Sequence, residues 1–342
     1  MRYVSIDQVE PGQYLGRTIF SANGAVLLSE GVQLTVYMIS TLKRIGATMI
    51  YIKDPDFEDV EIPEVISNET KQLVMKRMTE ICESIRSGKQ FDTRGLSVSA
   101  DQLIEDMMDN KDVLIQLSEI RTKDNHMFVH ALNVGMMAVS IGMNMNLNRG
   151  QLKDLAIGAL LHDVGKLDGI EENGDLSDRN HHAWRGFEIL KQKQELNLLI
   201  AHVALQHHET PDGQGAPRRL NGDQIHLYAK IVAVANMYDN LVSTLSSGKR
   251  MLPHEACEHM MALAETKLDR EVLIHFLRTV SVYPTGTSVR LSTREVGVVV
   301  GQHRGLPGRP VVRVVRRDDN DVEVKEIDLA KHPTVFVEAV LE

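Results

Sequence analysis

Three patterns of apolar and polar positions follow one another along the chain. Residues 1 to about 53 set short apolar runs between turn signals. Pro11-Gly12 marks a turn, and Ser21-Ala22-Asn23-Gly24 reads as a hairpin turn between apolar runs. A helix is predicted from about Thr35 to Ile45, with Gly46 placed to end it, and a short strand from Met49 to Ile52. Residues 54 to 66 form an acidic linker with Pro55 and Pro63. The next helix is predicted from about Ser67 to Arg86. Its apolar positions Val74, Met78, Ile81 and Ile85 make a heptad-like stripe, which can pair with a second copy of the chain or pack on the protein's own body. A break follows from Ser87-Gly88 to Gly95.

From Ala100 to about 280 the pattern is almost wholly helical, with short polar connections. Strands resume near Ser288. Glu295 to Gly301 and Pro310 to Val315 alternate or run apolar and β-branched, and the turn-like Asp318-Asp319-Asn320-Asp321 follows. The expected fold class is mainly α: a helical bundle, a small N-terminal mixed α/β module and a C-terminal β unit. The expected divisions are residues 1–66 for the module and linker, 67–110 for a helical connector, 111–285 for the bundle and 286–342 for the β unit.

Charge and cysteine content narrow the function classes. Of 342 residues, 38 are Lys or Arg and 47 are Asp or Glu, a formal charge of −9. A chain this acidic is not suited to general nucleic-acid binding, because neutralising phosphates needs a basic surface. A small anionic ligand in a locally basic pocket stays open. Cys82 and Cys257 sit in helix-like stretches and read as reduced thiols packed as small apolar residues, which points to a cytoplasmic protein. Met1 to Gln8 hold no apolar core of a signal peptide, and no run approaches the roughly 18 apolar residues of a spanning helix. Secretion and membrane insertion are not expected.

Histidine is the unusual count. Eight of the 14 lie between positions 126 and 208: His126, His130, His162, His181, His182, His202, His207 and His208. A metal or proton-transfer site gives a reason for such crowding. His126 and His130 stand four apart on one helical face. The apolar segment Leu152 to Leu161 ends in His162-Asp163, and burying a carboxylate beside an imidazole is costly unless a cation offsets it. Gly165 lets the backbone turn, and Lys166 follows within reach of the same pocket. His181-His182 and His207-His208-Glu209 come next. Ligands projecting inward from successive helices are how metal sites form in helical bundles. Mixed imidazole and carboxylate donors suit Mn, Fe, Ni or Zn better than Mg or Ca. His181 and His202 read as satisfied polar neighbours, and the methionines as helix packing.

These residues resemble the HD-GYP domain, a branch of the HD phosphohydrolase superfamily. The resemblance runs over about residues 110 to 285. It is carried by Asp124 through His130, by Leu161-His162-Asp163-Val164-Gly165-Lys166, and by His182 before Gly186-Phe187-Glu188-Ile189-Leu190. It continues with Ala204-Leu205-Gln206-His207-His208-Glu209, Asp212-Gly213-Gln214-Gly215-Ala216-Pro217, and Ala233-Val234-Ala235-Asn236-Met237-Tyr238-Asp239. The resemblance implies a helical, cytosolic domain that hydrolyses cyclic di-GMP to linear pGpG or GMP at a two- or three-metal centre. It implies metal ligands at His130, His162, Asp163, His182, His207 and His208. Asp163 would bridge the metals and the attacking hydroxide, and Lys166 would touch a phosphate oxygen. Asp124 matches a polar residue near substrate or metals. His126 stands where some members carry a Glu that binds a third metal, so a third site is compatible with it. Fe or Mn is the expected metal.

Departures bear on substrate more than on metal. The superfamily's last metal-binding Asp falls at Asn236, whose neutral amide binds a cation more weakly. The Tyr of Gly-Tyr-Pro is replaced in Gly215-Ala216-Pro217. Two positions that usually hold basic residues against the second half of the dinucleotide are Leu245 and Gly248, with Lys249 and Arg250 beside the latter. Asp239, one turn from Asn236 and facing the site, joins Asp124, Lys166, Lys249 and Arg250 as an expected substrate contact. Trp184 can stack a base or cap the bundle. The expected activity is metal-dependent hydrolysis of a cyclic dinucleotide. The alternatives are a degenerate domain that binds a nucleotide or a signalling partner protein, and a hydrolase of another phosphate ester.

Overall fold

The computed structural model describes every residue except 22, 118–120, 122–124, 169–178, 244–250, 319–320 and 342. In the N-terminal module β1 (Arg2–Ser5) pairs antiparallel with β4 (Met49–Ile52), Arg2 opposite Ile52 and Ser5 opposite Met49. The expected hairpin is β2 (Ile19–Phe20) with β3 (Val26–Leu28). Helix α1 (Val36–Ile45) starts where the Thr35 hydroxyl accepts from the Met38 amide, and it ends at Gly46 with φ of 100°, a conformation that favours glycine. Val4, Leu15, Ile19, Leu34, Leu42 and Ile50 give this module its own core.

The acidic linker is docked rather than free. Phe57 and Val60 pack on Val298 of the C-terminal sheet, and Arg313 donates to both carboxylate oxygens of Asp59 at 2.6 and 2.7 Å. Helix α2 (Asn68–Arg86) follows, its entry fixed by Ser67, which accepts from the Thr70 amide and donates its own amide and hydroxyl to Asp106. Val74, Met78 and Ile81 are buried in the main core, with Leu103 of α3 (Thr93–Asp109), and Ile85 packs at its edge. The heptad-like stripe is therefore packed inside the chain, the second of the two readings that its spacing allowed. Burial of each large apolar side chain contributes about 1.5–3 kcal/mol, which a stripe kept open for a partner forgoes.

The bundle is organised round α4 (His126–Asn144), which packs against α2, α3, α5 (Arg149–Leu161), α8 (Leu227–Leu241) and α10 (Arg270–Leu277). Neighbours on so many sides explain why α4 is apolar nearly all round. By length and composition it is apolar enough to cross a membrane, yet 78% of that stretch is buried within the protein. Helices α6 (His182–Lys191), α7 (Leu198–Gln206) and α9 (Pro253–Ala262) complete the bundle. The C-terminal unit is an antiparallel sheet in the order β8-β7-β6-β5-β9, from β5 (Ser288–Leu291), β6 (Val296–Gly301), β7 (Val311–Asp318), β8 (Asp321–Asp328) and β9 (Val337–Leu341). Among the described residues the architecture is the mainly α bundle with flanking small units that the hydrophobic pattern predicts.

Candidate metal centre

Helix ends deliver the site. Helix α5 stops at Leu161 and α7 at Gln206, so His162 and His207 each follow the last turn of a helix. The final carbonyls of a helix lack intrahelical partners. His162 Nδ1 donates to the Ala159 carbonyl at 2.8 Å, and His207 Nδ1 donates to the Ala204 carbonyl at 2.9 Å. The same i−3 bond twice over fixes both tautomers and turns both Nε2 atoms inward with bare lone pairs. His182 opens α6 one residue after its cap, His181, whose Nδ1 accepts from the Ala183 amide. His130 comes from the second turn of α4, and its Nδ1 lies 2.5 Å from Asp239 Oδ2, so there the carboxylate holds the proton on Nδ1.

These nitrogens converge. His130 Nε2 lies 3.2 Å from His162 Nε2, and His182 Nε2 lies 3.0 Å from His208 Nε2 and 3.4 Å from His207 Nε2. Asp163 stands between the two clusters. Its Oδ2 faces His162 at 3.5 Å and His130 at 3.7 Å, and its Oδ1 faces His182 at 3.3 Å and His207 at 3.5 Å. The ligand atoms form two groups, His130-His162-Asp163 and Asp163-His182-His207-His208, each within 4.8 Å, with the carboxylate shared. Lys166 Nζ donates to Asp163 Oδ2 at 2.6 Å.

The donor set fits divalent metal. Asp163 Oδ1 is buried with no hydrogen-bond partner, and an unpaired carboxylate oxygen away from water is costly. Inward-facing imidazole nitrogens about 3 Å apart repel unless a proton or a cation lies between them. Protons are disfavoured, because burial lowers His162 and His182 to about 4 and His207 to about 3, and pushes His208 well below its ordinary value. Burial alone would raise Asp163. The neighbouring His162 and Lys166 outweigh it, and the carboxylate stays ionised well below the usual range. Neutral imidazoles and one ionised carboxylate are the ligand states a divalent cation needs.

The site opens into a cavity of about 620 Å³. Its floor carries His130, Asp163, His207 and His208, and its walls include Arg121, Asn236 and Lys267. Gly165 is required by contact rather than by a turn, because a Cβ there would collide with the His182 carbonyl. Arg185 fastens the same segment, donating Nη2 to the Gly165 carbonyl at 2.9 Å. Gly215 is likewise excluded from carrying a side chain by the Glu209–Thr210 backbone.

The HD domain family matches residues 103–272, and a KOW domain associated with HD domain matches residues 288–342. Residues 103–272 of this chain belong to the HD-domain family. It is 30% identical over 238 residues to the cyclic di-GMP phosphodiesterase PA4108 of Pseudomonas aeruginosa, 67% of this chain and 57% of that protein. It is 34% identical over 105 residues to the 3'3'-cGAMP-specific phosphodiesterase 2 of Vibrio cholerae, 30% of this chain and 19% of that one. The chain spans just over half the length of the first of these relatives. A solved HDG"Y"P protein from Bdellovibrio bacteriovorus shares the fold, with a TM-score of 0.52 and 17% identity over 80% of this chain and 97% of that one. The HD-GYP resemblance read from the sequence agrees with these matches.

The HD-domain framework places the expected residues unevenly. His130, His162, Asp163, His182, His207 and His208 come together, with Lys166 beside them. Asn236 lines the cavity, but its Oδ1 accepts from Asn240 Nδ2 at 2.8 Å, so the oxygen is engaged along its own helix. His126 is exposed on the cavity wall and is outside both converging groups. Trp184 is half-buried and does not line the cavity. Asp124, Leu245, Gly248, Lys249 and Arg250 lie outside the described residues. Asp239 corrects the expectation of a substrate contact. It is fully buried and accepts from His130, from Asn133 Nδ2 at 2.9 Å and from Arg121. Burial would raise its carboxyl, but Arg121 and His130 hold it down to about 2. Its work is to hold the His130 ring.

Sequence reasoning also missed Glu209, only 2% exposed, whose oxygens accept from the Arg218 amide at 2.7 Å and the Leu220 amide at 2.9 Å. The acidic residue after a histidine pair was visible, but its backbone partners nine and eleven positions on leave no side-chain pattern.

Proposed function

We propose that this chain hydrolyses a cyclic dinucleotide phosphodiester, cyclic di-GMP first, to linear pGpG or GMP in the cytoplasm. The observation that carries the reading is Asp163, whose two oxygens each face a separate histidine group. His130, His162 and Asp163 would hold one divalent cation, and Asp163, His182, His207 and His208 a second, with Fe or Mn suited to this mixture of imidazole and carboxylate. Bound there, the two cations would supply an activated hydroxide and offset the charge of a phosphodiester. Asp163 orients both groups at once. Lys166, 42% exposed and already turned into the site, is the cation placed to meet a phosphate oxygen. His126 offers a further imidazole at the cavity wall for a third ion.

Purified protein supplied with Mn²⁺ or anaerobic Fe²⁺ and cyclic di-GMP should yield linear product, and Asp163→Ala should yield none. Absence of product from wild type with metal bound would overturn the reading. One observation favours a second reading, a binding domain without turnover: the Asn236 side-chain oxygen at the cavity is already engaged by Asn240. Tight dinucleotide binding with no product over hours distinguishes that case.

A further inference from the structure

The cavity beside the metal centre carries three described cationic side chains besides its histidines: Arg121, Lys166 and Lys267. Two are committed. Arg121 is bound to the buried Asp239, and Lys166 to Asp163. Lys267 differs in every respect that matters for recognition. It comes from the connection after α9, away from the elements that build the centre, and its side chain is 39% exposed. Its partner is Asp212, at 3.0 Å, which does not line the cavity. Asp212 keeps acceptor contacts without it, taking the Thr210 hydroxyl and the Gln214 amide at 3.0 Å. Lys267 can therefore turn from Asp212 to an anion in the cavity without stranding a buried carboxylate. The backbone holds it in place: the Asp212 amide donates to the Thr266 carbonyl at 3.1 Å, tying the two cavity-edge loops together.

We propose that Lys267 is a substrate-specificity residue, binding the second phosphodiester of a cyclic dinucleotide while the first lies at the metal centre. A cyclic dinucleotide is a dianion, and a site that neutralises only one phosphate leaves the other desolvated and unpaired. The proposal rests on the cyclic dinucleotide reading above.

The test is calorimetric binding of a hydrolysis-resistant bis-phosphorothioate analogue of cyclic di-GMP to the Mn²⁺-loaded full chain, as wild type and in three variant backgrounds, with turnover of cyclic di-GMP measured separately. Lys267→Met should weaken binding about tenfold, and Lys267→Arg should restore most of it. Asp212→Asn, which frees Lys267, should leave binding unchanged or tighter. Equal weakening by Lys267→Met and Asp212→Asn would make Lys267 a loop tie and overturn the proposal, as would binding indifferent to Lys267→Met. Lys267-dependent binding without turnover of cyclic di-GMP by the wild type would sink hydrolysis and leave this contact standing. No binding in any background would sink both.

Discussion

The two sides of the candidate metal centre share one device, a histidine held by a helix-end carbonyl, and differ in how they hold the rest. On one side His130 is gripped by Asp239, and that carboxylate is itself held by Asn133 and Arg121. On the other side His207 is fixed by the Ala204 carbonyl at the end of α7, and His182 and His208 are locked by contact among the rings themselves. The first arrangement is electrostatic and reaches out to a guanidinium at the cavity wall. The second is backbone and packing, confined to consecutive helix ends. Ligand orientation by a buried ion network can be altered by one charge change, whereas orientation by a helix terminus is lost only with the helix.

Asp163→Ala should break both sides together, since among the described residues the carboxylate is the group they share. Bound metal, measured by elemental analysis, should fall from about two ions to near none, and turnover by roughly a thousandfold or more. Retention of one tightly bound ion would show that the two sides are independent. Asp239→Asn is the sharper cut. It preserves shape but removes the charge that holds His130, so metal affinity on that side should fall about 10–100-fold while the other side loads normally. Titration with Mn²⁺ should then show two separated steps where wild type shows closer ones. Equal weakening of both steps would refute the difference drawn here.

The same contrast explains what could be read from the sequence. The backbone-held histidines were legible, because His162-Asp163 and His207-His208 are adjacent doublets after apolar helical segments. Helix limits with local chemistry were legible too, as with Thr35 and Gly46 at the ends of α1. The ion network was not. Asp239 lies 109 positions from His130 and 118 from Arg121, and nothing in a local period announces such pairing. A carboxylate one turn from Asn236 on a site-facing helix reads equally well as a ligand contact. Packing choices were hidden for a related reason: the stripe on α2 has one spacing whether it meets α3 and α4 or a second chain.

Acid should act on the buried histidines first. The unfolded chain takes up protons near pH 6.5, while the folded metal-free protein resists them, with His162 and His182 lowered to about 4 and His207 to about 3. Stability of the metal-free protein should therefore decline as pH falls from about 6.5 toward 4, in melting temperatures measured across that range. The depressed carboxylates have the opposite placement. The stability supplied by Asp239, at about 2, is fully present above its ordinary value of 3.8 and is lost only below it. Saturating Mn²⁺ should flatten the upper phase, because bound cations compete with those protons. A melting temperature flat from pH 6.5 to 4 without metal would show that the histidines are not buried neutral.

The smallest expected effect is at Asn236. Its amide oxygen accepts from Asn240, so the side chain lends little to a cation as it stands. Asn236→Asp keeps the volume and adds a charge beside the cavity, 7% exposed and on the same helix as Asp239. The carboxylate can still accept from Asn240 through one oxygen and turn the other toward the centre. Metal affinity should rise a few-fold, roughly the gain of a charged over a neutral oxygen donor at a partly solvated site. Because Asp239 is already ionised nearby, some of that gain should be offset by repulsion between the two carboxylates, felt most on the His130 side. Competition with a chelator resolves the two loading steps. A gain confined to the His130 step places Asn236 on the electrostatic side, and a gain confined to the other step would mean that a charge on α8 reaches the packed cluster, erasing the division between them.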